Sequence, residues 1–210
     1  MKQITFGTLK SYDDLHLILA SKEIGSPKEK KNTIPIEGAD GELDLTEFFG
    51  SVKYENRILK FSFSSVAYPF ADHYSMVLNA LHGKKVHITL DEDPNWYYVG
   101  RLSVSPYTSD KNIGKIDIEA DCEPYKYKQN ETVVSEAVSN SKTIILHNSR
   151  KRVIPTIKTT AAMEIAFGGR TYQAKAGTFI YPALELVEGD NEVTVTGTGT
   201  ITFTYREGGL

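Results

Sequence analysis

Apolar and polar side chains alternate with a period of two along much of this chain. Leu59, Phe61 and Phe63 alternate with Lys60, Ser62 and Ser64, and Val86, Ile88 and Leu90 alternate with His87 and Thr89, as strands that bury one face require. Trp96 to Val104 is dense in aromatic and β-branched residues, with turn residues from Asp91 to Pro94 just before it, so it predicts a further strand paired with its neighbours. Ile116, Ile118, Ala120 and Cys122 repeat the alternation. One segment departs from it. Tyr74, Val77, Leu78 and Leu81 recur at i, i+3, i+4 and i+7, with Asp72 near the start and Gly83 placed for a left-handed C-cap, which predicts one helix whose apolar stripe needs a sheet to cover.

The second half reads differently. Gln129 to Thr132 and Ser135 to Lys142 are polar and offer little to a core, so a domain boundary is expected there, between residues 1–130 and 131–210. Beyond it Met163, Ile165 and Phe167 alternate with Glu164 and Ala166, Gly168-Gly169 supplies a tight turn, and Tyr172 begins a return strand. A second hairpin is expected from Val193 and Val195, turning at Gly197-Thr198-Gly199 and returning through Ile201, Phe203 and Tyr205. The fold class is therefore mainly β: an N-terminal β domain with one α-helix, followed by a small antiparallel β-sandwich. Ser21 to Thr33 carries Lys22, Glu23, Lys28, Glu29, Lys30 and Lys31 around Gly25 and Pro27, which reads as an exposed loop or hairpin arm.

Composition narrows the function. Charged residues make up 24% and hydrophobic ones 40%, values of a chain that folds. A net charge of −3 with no basic stripe argues against specific nucleic-acid binding. No run is long and apolar enough to insert in a membrane, and the first ten residues lack the apolar core of a signal peptide, so the chain is expected to be made in the cytoplasm. Its single cysteine, Cys122, lies on the apolar face of a strand and reads as a buried, inert thiol.

Candidate chemistry is sparse. His16, His73, His82, His87 and His147 fall in no metal-binding spacing. Asp91-Glu92-Asp93 could offer an acid and a base, but adjacent carboxylates in a turn are ordinarily solvated. No nucleophile elbow or phosphate-binding loop occurs. The aromatics of the second half share faces with Ile165 and Ile201 and read as core. The expectation is a protein that is not an enzyme, with no catalytic residue, no cofactor and no metal.

Ordered motifs along the chain carry a resemblance. Ile36-Glu37-Gly38-Ala39-Asp40-Gly41-Glu42-Leu43-Asp44-Leu45-Thr46-Glu47 followed by Tyr54-Glu55-Asn56-Arg57, then Leu81-His82-Gly83-Lys84, then Trp96 to Arg101, then Cys122 to Tyr127, resemble in order and spacing the first domain of siphophage distal tail proteins. Glu188 to Asn191, Gly197 to Gly199 and Tyr205 to Gly208 are similar to the end of that family's second domain, so the resemblance covers nearly the whole chain.

What the resemblance implies is assembly without catalysis. Members of the family form a hexameric ring at the tip of a long non-contractile tail, as part of a baseplate hub. Their first domains make a continuous β belt and their galectin-like second domains point outward. The implied partners are further copies of the chain, the tail tube protein, the tape measure protein and the tail-tip or tail-associated protein, and the implied location is the tail tip of a phage, prophage or tail-derived particle. Strand edges left open in one protomer can be closed by a neighbour, and a ring is a heterologous interface that closes. The charge and turn content of Ser21–Thr33 and Ile36–Phe49 suits an extended arm better than a core, so Lys28, Lys30, Ile36, Asp40, Leu43, Asp44, Leu45, Phe48 and Phe49 are the candidate oligomer interface. The mild negative charge would line a channel without holding DNA. Two other readings compete: a carbohydrate-binding adhesin module, on the strength of the small sandwich after a polar segment, and, more weakly, a tail-associated hydrolase.

Overall fold

The structure is a computed structural model that describes all residues except Met1, Phe49, Tyr68, Lys111 and Asn112, with the backbone alone of Ser109 and Asp110. The chain is mainly β and divides into two compact units, Met1–Lys126 and Tyr127–Gly209.

In the first unit, strands β1 (Ile4–Phe6), β2 (Leu9–Lys10) and β3 (Ile18–Ile24) precede a small hairpin of β4 (Thr33–Pro35) and β5 (Glu42–Asp44). Then come β6 (Arg57–Ser65), helix α1 (Phe70–Leu81), β7 (Lys85–Leu90), β8 (Trp96–Val104), β9 (Thr108–Asp110) and β10 (Ile113–Cys122). The main sheet runs β2-β1-β7-β8-β10-β6-β3, each strand antiparallel to the next, and β6, β7, β8 and β10 are the strands read from sequence. Register explains the core. Leu59, Phe61 and Phe63 stand opposite Ala120, Ile118 and Ile116, and all six are buried. Phe6 meets the Phe61 ring edge-on at 5.7 Å, a favoured aromatic geometry. Cys122 lies opposite Gly100, where a side chain on Gly100 would come within 2.3 Å of the thiol sulfur.

Helix α1 covers this sheet with Val77 and Leu81 fully buried and Tyr74 and Leu78 packed against the core, as its spacing predicts. His73 is buried with them. Its Nε2–H donates to the Leu15 carbonyl at 2.7 Å, and its Nδ1 faces the Ser65 hydroxyl at 2.9 Å. Because a carbonyl can only accept, Nε2 carries a proton. Gly83 takes the expected positive φ, although the capping bond comes from the His82 amide to Leu78. None of the described helices is long and apolar enough to cross a membrane.

The second unit begins within β11 (Lys126–Lys128) and continues through β12 (Thr132–Asn148), β13 (Thr156–Thr159), β14 (Met163–Phe167), β15 (Arg170–Ala174), β16 (Gly177–Ile180), β17 (Gly189–Tyr205) and β18 (Gly208–Gly209). The hairpin at Gly168-Gly169 forms as expected, with Phe167 opposite Arg170. The hairpin expected at Gly197-Thr198-Gly199 does not. Instead β17 runs unbroken for 17 residues and pairs with β12 from Thr132↔Tyr205 to Asn148↔Gly189. Its other edge takes β14 over Thr194–Gly197 and β13 over Ile201–Thr204. The polar stretch in which the domain boundary was expected is thus largely strand β12.

The glycines bend β17 without reversing it. Gly197 and Gly199 have φ of 142° and 151°, and a Cβ on either would sit about 3 Å or less from the neighbouring strand connection, so glycine is required by both conformation and space. Asn140 opposite Gly197 has φ of 73°. The two halves of the bent ribbon enclose Val138, Ile144, Leu146, Ile157, Ile165, Val193, Val195, Ile201 and Phe203 as a second core.

Both ends of this unit meet at a buried carboxylate. Glu207, 2% exposed, accepts from Lys128 Nζ at 2.6 Å, from Thr132 Oγ1 at 2.6 Å and from Ser149 Oγ at 2.5 Å. Burial works against its charge, but the hydrogen bonds from Lys128, Ser149 and Thr132 outweigh it and hold the carboxyl below its ordinary value.

Candidate assembly arm

Between β3 and β6 the chain leaves the sheet and returns as a two-stranded arm. The ladder continues outward from the sheet: the Gly25 amide donates to Ile58, Glu55 to Lys28 and Lys30 to Lys53. A bridge joins Glu29 to Tyr54. Farther out the Leu45 amide donates to Asn32, and β4 pairs with β5 through Thr33↔Asp44, Ile34↔Leu43 and Pro35↔Glu42. Gly38 and Gly41, both at positive φ, close the tip. At the base of β5 the Asp44 carboxylate accepts from the Thr46 amide at 2.8 Å. Hydrogen bonds from Thr46 hold Asp44 below the usual carboxylate range.

Every residue from Lys28 to Asp44 is exposed. Ile34, Ile36 and Leu43 are each about half exposed and Phe48 is 72% exposed. Ile34 and Ile36 fall on one face by their spacing of two, and Leu43 stands opposite Ile34. An isolated two-stranded hairpin is marginal in water, and this one carries an apolar face with no core beneath it. One groove on it is mixed in charge, lined by Glu29, Lys31, Asp44, Thr46, Glu47 and Val52.

Of the expected interface residues, Lys28 and Lys30 lie on the outgoing strand and use their backbones in the ladder. Ile36 and Asp40 belong to the tip, and Leu43 and Asp44 to β5. Leu45 is half-buried and Phe48 exposed. Phe49 lies outside the described residues. Sequence reasoning passed over Ile34, the cross-strand partner of Leu43. The alternation Ile34, Pro35, Ile36 was the signal that could have found it. The stretch Ser21 to Ile24, expected within the loop, is the end of β3.

The residues weighed for chemistry are occupied in structural contacts. Asp91 accepts from the Gln3 amide at 2.9 Å, Glu92 pairs with Lys2 and Lys22, and Asp93 pairs with Lys126 at 2.7 Å. His82 Nδ1 accepts from the Val104 amide and His87 stacks on Tyr97. Among the described residues no group of three or more His, Cys, Asp or Glu side chains is placed to hold a metal. Burial, with a smaller contribution from Asp121, pushes the Cys122 thiol up to about 12. Phe203 and Tyr205 are core.

No family model matches the chain, and no curated protein matches it by sequence. Among solved structures, the chain is similar to the Dit (gp 19.1) protein of phage SPP1, described as a paradigm of the hub adsorption apparatus in phages infecting Gram-positive bacteria. The match covers 98% of this chain and 99% of that one with a TM-score of 0.70, at 16% identity. What the two share is the fold from end to end. The chain thus resembles the distal tail proteins in architecture as well as in the order of its motifs.

Proposed function

We propose that this chain is a structural component of a phage or prophage tail tip, a distal tail protein that closes into a hexameric ring between the tail tube and the tip or receptor-binding apparatus. The end-to-end fold match to a phage hub protein carries this reading. In it, residues 1–130 form the belt and residues 131–210 are a galectin-like domain that points outward. Its partners are the tail tube, tape measure and tail-tip proteins, it has no catalytic role, and its location is the virion tail.

The arm supplies the contact. Its apolar face of Ile34, Ile36 and Leu43 gains its cover from the adjacent protomer, and repeating that heterologous contact closes the ring. The aspartate pair Ile34→Asp with Leu43→Asp tests this. Both side chains are about half exposed, so the folded chain tolerates the change while the ring is lost in electron micrographs. Intact rings from that variant would remove the arm from the interface.

A further inference from the structure

We propose that the free edge of β12 pairs antiparallel with the same edge of a second copy of this chain, about a two-fold axis at Ser139. Among the described residues β12 pairs with β17 alone, so one side of a 17-residue strand is open. Long open edges are templates for another strand. The occupant follows from the sequence of the edge, which is complementary to itself when reversed about Ser139.

That reversal sets Glu136 opposite the partner's Lys142, Ser135 opposite the partner's Thr143 and Val133 opposite the partner's Ile145, each twice over. Val133 and Ile145 are 59% and 58% exposed, an apolar pair waiting at each end of the ladder. Lysine on an edge ordinarily repels a second strand; here each lysine meets a glutamate. The paired positions also share a face. Val138, Ile144 and Leu146 point to the core and the odd-numbered neighbours to solvent, and a reversal about one residue matches even with even, so the two sheets merge with their cores on one side.

The bend lies at the same place. Asn140 and Val138 stand opposite Gly197 and Gly199, which places Ser139 opposite Thr198 at the centre of the bend. Six residues of straight strand span about 20 Å, yet Lys142 Nζ lies 2.7 Å from Glu136 Oε2 in the same strand, so the bend is sharp. A two-fold axis along its bisector superimposes a bent strand on itself, and two such edges can lie side by side along both arms. The contact is isologous and does not depend on the tail-tip reading.

Cysteine placement tests it in the full chain. Ser139 is exposed and would face its own copy at the roughly 4.5–5.5 Å Cα separation of antiparallel pairs, within disulfide reach. Ser139→Cys under mild oxidation is expected to give a dimer on a non-reducing denaturing gel. Ser135→Cys, whose copies lie on opposite arms of the bend, is not, and buried Cys122 contributes nothing. Adding Glu136→Lys or Lys142→Glu to Ser139→Cys should abolish the cross-link, and mixing the two double variants should restore it as a heterodimer, which repair of an intrachain ion pair cannot do. Monomeric Ser139→Cys, equal cross-linking of Ser135→Cys, or failure of the mixture would each overturn the proposal.

Discussion

Replacing Glu207 by glutamine isolates what the buried carboxylate does for the second unit. The substitution keeps side-chain volume but removes the charge and converts one acceptor oxygen to a donor. In the native chain one oxygen accepts from Lys128 and Thr132 and the other from Ser149. Glutamine leaves at least one of these donors without its acceptor and makes the remaining bonds neutral. Bonds to a charged group contribute about 1.5–3 kcal/mol each against about 0.5–1.5 kcal/mol for neutral ones. Lys128 is 38% exposed on its side chain and can turn to water, which reduces the loss. A net cost of about 2–4 kcal/mol follows at neutral pH. The carboxyl is held below its ordinary 4.5, so its contribution is fully present above that pH and fades as pH falls through the lowered value. Urea unfolding followed by amide exchange in β12 and β17, at pH 7 and pH 3, measures both effects. The gap between native and Glu207→Gln chains should be widest at pH 7 and shrink in acid. An equal gap at both pH values, or none at pH 7, would refute the reasoning.

Other consequences are direct. Phe61→Ala should cost about 3–5 kcal/mol in denaturant unfolding, because the ring is 1% exposed and packs against Phe6. Cys122 should resist a thiol reagent at pH 8 in the folded chain and titrate as one thiol per chain once denatured, since it is buried and shifted to about 12. Gly114→Ala should destabilise the first unit, because the new Cβ would lie 1.8 Å from the Phe70 ring; a melting point unchanged from the native chain would contradict the packing of α1 on β10. The acidic chain should pass through a DNA column at moderate salt, and retention would contradict the electrostatic argument.

Much of the first unit was legible because its strands bury one face and show water the other. Leu59, Phe61 and Phe63 fall on the core by parity alone, and α1 follows from a spacing that only a helix makes one-sided. The second unit hid its longest element. Ser139 to Thr143 are exposed on both faces, since they lie at a sheet edge and at a bend, so their composition is that of a linker. Gly197 and Gly199 need positive φ in a hairpin and in a bend alike, and their parity with Val195 and Ile201 is the same in both. Only pairing with β12, a long-range fact, separates the two. The arm was legible as exposed from its charges and turns, but its apolar face depends on Ile34 meeting Leu43 across the hairpin, which requires the register.

The solution mass of the intact chain, by light scattering after size exclusion across a range of concentrations, bears most directly on assembly as the function. A mass near six copies of the 23.4 kDa chain, or twice that where rings pair through β12, is the predicted result. A single species of 23.4 kDa at every concentration would contradict it.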